Sequence, residues 1–415
     1  MGISGCRGFC RLTGARASRQ PGSGHQAARG STPETGLDAS AGSTSHASSS
    51  IRQKLSPDTH TDAGASATPP RTDVGVELIR VVACFMVVLL HVAASGFHDF
   101  ADAWWPSNFH DAFTRVCVPL FLMITGALLL GRQEPLSRLL RGRVLRLLPP
   151  LLFWSLFYVG WRAWRSDDPF DWMAAFASLP AQPSSYHLWY LYAMVGITLF
   201  LPFLRLLWQH SGETEKRFYL LMWLLVSGFP MWGNALGWEA DTIAVYELSN
   251  FFGLAGYLFL GAWLQEWRRR TNVTANAYVG GLSLFGLGGA VTMGITAWLS
   301  QHRGAPDSLF YDYLSPFVIV AAGGAYLFLA TCGDRLFKRG ARFRLRKHLL
   351  SLSALTLGIY CIHITWLEWA MDYVDWERYG AAAWWMMPAL ALVLFAISGA
   401  SVAVLRQVRP LRLVL

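Results

Sequence analysis

The chain has 415 residues, of which 53% are hydrophobic and only 15% charged, and its formal net charge is +9. That apolarity excludes a soluble domain of this size and points to a polytopic membrane protein. The excess positive charge lies in loops between apolar runs, so it reads as a topology signal and not as a nucleic-acid surface.

Residues 1–72 are rich in Ser, Gly, Ala and Thr with scattered Arg. They hold too few large apolar residues to form a core, so a disordered low-complexity tail is expected. No apolar central region marks a secretory signal. The many Arg give a weak likeness to a transit peptide, and a start codon placed too early is an equal alternative. A membrane domain is expected over 73–406, with a cytoplasmic tail at 407–415.

Ten apolar runs follow the tail, at 74–94, 112–131, 144–163, 187–208, 217–236, 248–267, 277–299, 314–332, 349–370 and 382–405. Each is long enough to approach the roughly 20 residues that span a bilayer as a helix. The expected fold class is therefore all-α, a bundle of about ten transmembrane helices. Pro149 and Pro150 interrupt the third run near its start, where a membrane helix tolerates them. Lys and Arg alternate from loop to loop. One side holds Arg132, Arg138, Arg141, Arg143 and Arg146, then Arg268, Arg269 and Arg270, then Arg335 to Lys347 and the tail. The other holds few basic residues and many acidic ones, including Asp99, Asp102, Asp167 and Asp168. By the positive-inside rule both termini are cytoplasmic. The basic loops also suit anionic lipid headgroups.

The first run carries the most informative polar residues. Arg80 and His91 are eleven residues apart, about 16 Å along a helix with a net rotation of only about 20°. They share one face, and Glu77, three residues before Arg80, shares it too. Ionisable groups inside a membrane are costly and face a cavity or a partner. With the expected orientation Arg80 lies toward the cytoplasm and His91 in the outer half. His187, opening the fourth run, and His363, past the middle of the ninth, reach the outer half as well. Each is also accounted for as an interhelical hydrogen-bond partner. Four of the six cysteines lie in or beside apolar runs, and none has metal-ligand spacing, so they read as packing residues with no metal expected.

These segments carry a family resemblance. Glu77-Leu-Ile-Arg80 followed by His91 resembles the first helix of the acyltransferase-3 family of integral membrane O-acyltransferases. Arg115-Val-Cys-Val-Pro119-Leu-Phe121 with Thr125-Gly126 resembles its second helix, Thr125 replacing the usual Ser. Arg141-Gly-Arg143-Val-Leu-Arg146 resembles its basic entry to the third helix. His187-Leu-Trp189, Leu201-Pro202, Gly256-Tyr257 to Gly261, and Gly358 to His363 follow in the family's order. The resemblance covers 74–405 and is closest to the branch that modifies surface polysaccharides.

The resemblance implies an enzyme of the bacterial inner membrane. It would move an acyl group, usually acetyl, from cytoplasmic acyl-CoA to a hydroxyl of a glycan or lipid-linked sugar, with no bound cofactor. Arg143 and Arg146 suit the donor's phosphates, because a guanidinium forks onto phosphate; positive-inside anchoring accounts for them equally. Arg80 would pair with Glu77 or line the donor path. His91, with an ordinary pKa of about 6.5, suits the base or a transient acyl carrier. Arg115, His187, Tyr360 and His363 are candidates for the oxyanion or the acceptor, and the sequence does not choose among them. Trp104, Trp105, Trp172 and Trp238 suit either sugar stacking or interface anchoring. A transporter or flippase of an envelope precursor is the alternative from another class, and a regulatory scaffold a third; no internal repeat or pair of broken helices marks a transporter.

Overall fold

A computed structural model describes residues 73–237, 241–271, 275–337 and 343–415. The tail expected at 1–72 lies outside the described residues, as do Trp238, Lys338, Arg339 and Arg342. The described residues form helices and no strand. The helices used below are α1 (Val74–Ala94), α2 (Trp104–Thr114), α3 (Cys117–Leu129), α4 (Leu145–Arg165), α5 (Trp189–His210), α6 (Glu213–Leu236), α7 (Ala255–Arg270), α8 (Ala275–Arg303), α9 (Pro316–Phe337), α10 (Phe343–Ser353), α11 (Thr356–Met371) and α12 (Ala383–Leu405).

Among the described residues, eight stretches are long and apolar enough to cross a bilayer. They become nine if α10 and α11, bent by 63° at their junction, count as one span. The remaining expected run, 248–267, resolves into a 3-10 turn and the 16-residue α7. At about 24 Å, α7 is shorter than the roughly 30 Å hydrocarbon core. It still returns the chain through the bundle. The ends of α6 and α8 meet at one face, where Arg303 donates to the Asn234 side chain at 2.9 Å. The start of α6 meets the end of α7 at the other face, where Trp263 donates to Glu213 at 2.9 Å.

α1 starts where the Asp73 carboxylate accepts from the N–H groups of Gly75 (3.0 Å) and Val76 (3.3 Å), satisfying donors a helix start leaves open. The same carboxylate takes Arg268 at 2.7 Å, and Arg268 also reaches Asp334 at 2.8 Å. The start of α1 is thereby tied to the ends of α7 and α9. α1 packs against α2, α3, α9, α10, α11 and α12, so its polar stripe faces protein on most sides. Close approach elsewhere depends on glycine: a Cβ on Gly126 of α3 would strike the Leu258 backbone of α7, and one on Gly261 would strike Met123.

Two boundaries differ from the periodicity reading. The second span is one 26-residue stretch, Trp104–Leu129. Arg115 is therefore not at its mouth but at the turn between α2 and α3, eleven residues of helix from the start. Trp104, expected in a loop, is only 2% exposed at the head of α2. The third span starts at Leu136 and passes through a π-helical turn, Leu140–Val144. Past α12, a 3-10 turn at Arg409–Leu413 leads to Val414, whose carbonyl accepts from the Trp154 indole at 2.9 Å.

Candidate active site

The Glu77 carboxylate accepts from Arg80 Nη1 at 2.7 Å and from the Ser353 hydroxyl at the end of α10. Arg80 Nη1 also lies 3.4 Å from Ser353 Oγ. The i,i+3 spacing in α1 brings the charges together, and a hydroxyl from a distant helix completes the cluster. Both side chains keep some accessibility, 29% for Arg80 and 14% for Glu77.

Farther along α1, Cys84 Sγ donates to the Thr356 carbonyl at 3.5 Å, and the His91 ring meets His363 at 5.3 Å between centroids. The matched pairs Arg80–Ser353, Cys84–Thr356 and His91–His363 ascend together, so α1 and α11 run parallel. Arg80 and His91 thus face the same helix pair from one stripe of α1.

The second cluster joins three histidines. His363 lies between His91 and His187, each at 5.3 Å between centroids. Tyr186 stands 5.1 Å from His91 and Tyr158 5.0 Å from His187. His187 and His363 are 1% and 0% exposed, whereas His91 is half-buried. Carbonyl partners fix the tautomers, because a carbonyl only accepts. His187 Nε2–H donates to the Cys361 carbonyl at 3.2 Å, leaving Nδ1 to accept from the Ser185 hydroxyl at 2.9 Å. His363 Nδ1–H donates to the Tyr360 carbonyl at 2.7 Å. The Tyr360 hydroxyl donates to the His187 carbonyl, and that of Tyr158 to the Cys361 carbonyl at 2.8 Å. No ring nitrogen of His91 has a hydrogen-bond partner among the described residues.

Arg115 is held by Asp111, one turn earlier on α2. Its Nη2 donates to Oδ2 at 2.7 Å, and its Nε lies 2.7 Å from Oδ1. The guanidinium carbon sits 4.7 Å from the Tyr311 ring centroid and 5.9 Å from that of Tyr313. The pair is an ion pair with one hydrogen bond, from Nη2, and Nη1 has no hydrogen-bond partner among the described residues. Of the four residues expected to serve the oxyanion or acceptor, His187, Tyr360 and His363 give their hydrogens to backbone carbonyls, and only Arg115 keeps a donor arm.

Arg143 and Arg146 do not reach the Glu77–Arg80 pair. Arg143, in the π turn, donates through Nε and Nη2 to Glu134, both at 3.2 Å. Arg205 of α5 donates to the same carboxylate oxygen at 3.0 Å and to the Leu129 carbonyl at 2.9 Å. The Arg205 hydrogen bond, joined by the charge of Arg143, holds the Glu134 carboxyl below the usual carboxylate range. Arg146 is exposed.

Asp111, Glu134, Ser353, Arg205, Tyr158 and Ser185 were not anticipated. Asp111–Arg115 had a readable signal, the i,i+4 acid–base spacing, concealed by starting the span at 112. The others are joined by long-range packing that has no local periodicity.

The described residues therefore form a multi-pass membrane helix bundle with a polar interior stripe. A family model described as an acyltransferase domain matches residues 73–405, and the chain belongs to this family, the acyltransferase-3 membrane enzymes. No curated relative and no solved structure matches the chain.

Proposed function

We propose that this acyltransferase moves an acetyl or similar acyl group from cytoplasmic acyl-CoA to a hydroxyl of a cell-surface or lipid-linked glycan, in the bacterial inner membrane with both termini cytoplasmic. The observation that carries the reading is His91. Its ring is half-buried on the α1 stripe, its nitrogens have no hydrogen-bond partner among the described residues, and Arg80 lies about 16 Å nearer the start of the helix.

In this reading Arg143 and Arg146 meet the donor's phosphates at the basic face, and Arg80, steadied by Glu77 and Ser353, lines the path of its pantetheine arm. His91 takes the proton of the acceptor hydroxyl as that oxygen attacks the thioester carbonyl. Arg115 Nη1 donates to the resulting oxyanion. The C–S bond breaks, and the proton on His91 passes to the departing thiolate. The products are the ester and CoA-SH, and His91 returns neutral. Positioning supplies the remaining advantage, since the carbonyl and the hydroxyl meet within one protein groove.

The test follows radiolabel from acetyl-CoA into glycan in membrane vesicles from cells that express the protein. Label should enter glycan with the wild type and fall by about 10²–10⁴ with His91→Ala at equal membrane abundance. Glycan labelling that is the same with and without the wild-type protein would sink the proposal.

A further inference from the structure

His363 holds a polar atom the mechanism above does not use. Its Nδ1–H is committed to the Tyr360 carbonyl at 2.7 Å, so the neutral ring carries a bare lone pair on Nε2. That atom is buried without a hydrogen-bond partner among the described residues, on a side chain that is 0% exposed. A buried acceptor left empty is costly, and such atoms in native sites call for an explanation. Beside it stands the His91 ring, whose nitrogens have no hydrogen-bond partner among the described residues, with centroids 5.3 Å apart and planes at 30°. That spacing lets one nitrogen of each ring approach to about 3 Å by rotation of the His91 ring. His187 cannot fill the role, because both of its nitrogens are engaged.

We propose that His363 is the positioning residue for the catalytic base: its Nε2 accepts a hydrogen bond from one ring N–H of His91. The inference rests on the reading of His91 as the base. The contact fixes His91 in one tautomer and leaves its other nitrogen bare for the acceptor hydroxyl. When His91 takes the proton, the His363 lone pair faces the new imidazolium, as a carboxylate does in a hydrolase triad, without adding a charge to an apolar layer. His363 keeps its own proton throughout, so its role moves no atom. The backbone carbonyl of Tyr360, one turn earlier on α11, orients this acceptor.

Other groups also act on the pair. Arg115 and Tyr186 face His91, and His187 and Tyr360 face His363. None of them offers Nε2 a hydrogen.

Two variants test the idea in vesicles with acetyl-CoA as donor. His363→Leu fills the volume without an acceptor, and His363→Gln returns an amide oxygen. With Leu, kcat for glycan labelling should fall about 100-fold, near the low end of what general-base catalysis contributes, while KM for acetyl-CoA stays within about twofold. Losing the lone pair disfavours the imidazolium, so the base limb of the pH–rate profile should move to lower pH. Gln should restore most of the rate and return the limb. Equal losses for Leu and Gln with an unmoved limb would overturn the proposal.

A second measurement needs no acyl transfer and separates this inference from the functional reading. Ring ¹⁵N solid-state NMR of the full-length protein in bilayers should show His91 as a single tautomer in the wild type, and as a mixture in His363→Leu. His91 signals identical in the two proteins would overturn it even if the enzyme is active.

Discussion

The Glu77–Arg80–Ser353 cluster and the His91–His187–His363 cluster share α1 and the α10–α11 pair, yet they handle polarity in opposite ways. The first keeps full charges and pairs them: Arg80 meets Glu77 at 2.7 Å, and a serine caps the carboxylate. The second carries no paired carboxylate: His187 and His363 lie buried and direct N–H groups into backbone carbonyls. Charge is affordable in the first because both side chains retain accessibility. Deep inside, where His363 is 0% exposed, an unpaired ion would cost several kcal/mol. Under the proposed function, the contrast separates a station for binding an anionic donor from a station for moving a proton.

The largest expected effect breaks the second station. His91→Ala should lower glycan labelling by about 10²–10⁴ with normal membrane insertion, as judged by detergent-extracted protein yield and its elution profile. A well-inserted variant with wild-type labelling would erase the distinction. Next is Arg115. Arg115→Lys cannot both hold Asp111 and present a second donor arm, and loss of an oxyanion donor costs on the order of 10²–10³ in rate. Because Asp111 is 1% exposed, Arg115→Gln also leaves a carboxylate unpaired. The double variant Asp111→Asn/Arg115→Gln should recover thermal stability without recovering rate.

Smaller effects probe the charged station. Arg80→Ala should raise KM for acetyl-CoA more than it lowers kcat, read from initial rates in vesicles. Ser353→Ala removes one hydrogen bond to a charged group, worth about 1.5–3 kcal/mol, and should lower the melting temperature while leaving the pH–rate profile in place. The smallest concerns Glu134. Its carboxyl is held below the ordinary carboxylate range by Arg205, so its stabilising contribution is full above about pH 4.3 and fades only as pH falls through the lowered value. Thermal melts from pH 8 to 5 should therefore give a constant difference between wild type and Glu134→Gln, and a difference that narrows within this window would contradict the pairing.

Much of this was readable in the chain because one helix obeys simple periodicity. The eleven-residue spacing of Arg80 and His91 placed both on one face of α1, and Glu77 followed from i,i+3 geometry. Apolar runs located the long helices, since their lengths match a fixed solvent thickness. The sequence was silent where one segment answers another far away. Ser353 meets Glu77 across 276 positions, and Tyr311 lies over Arg115 from a separate turn. Hydropathy also misjudged α2, because Asn108, His110 and Asp111 depress it, although Asn108 and Asp111 are buried in the bundle.

The bend between α10 and α11 has a consequence for angular phase. Ten residues separate Ser353 from His363, and in an unbroken rod they would point about 80° apart. Arg80 and His91 point within about 20° of each other, so a straight partner could answer only one of them. The 63° break interrupts the rod between the two residues, and the Ser353 and Ala354 carbonyls beside it accept from the Thr356 hydroxyl and from Arg406. A single discontinuity thus lets one strand of the bundle present a hydroxyl to the guanidinium station and an imidazole to the histidine station. Any insertion or deletion between 353 and 363 would put the two out of step.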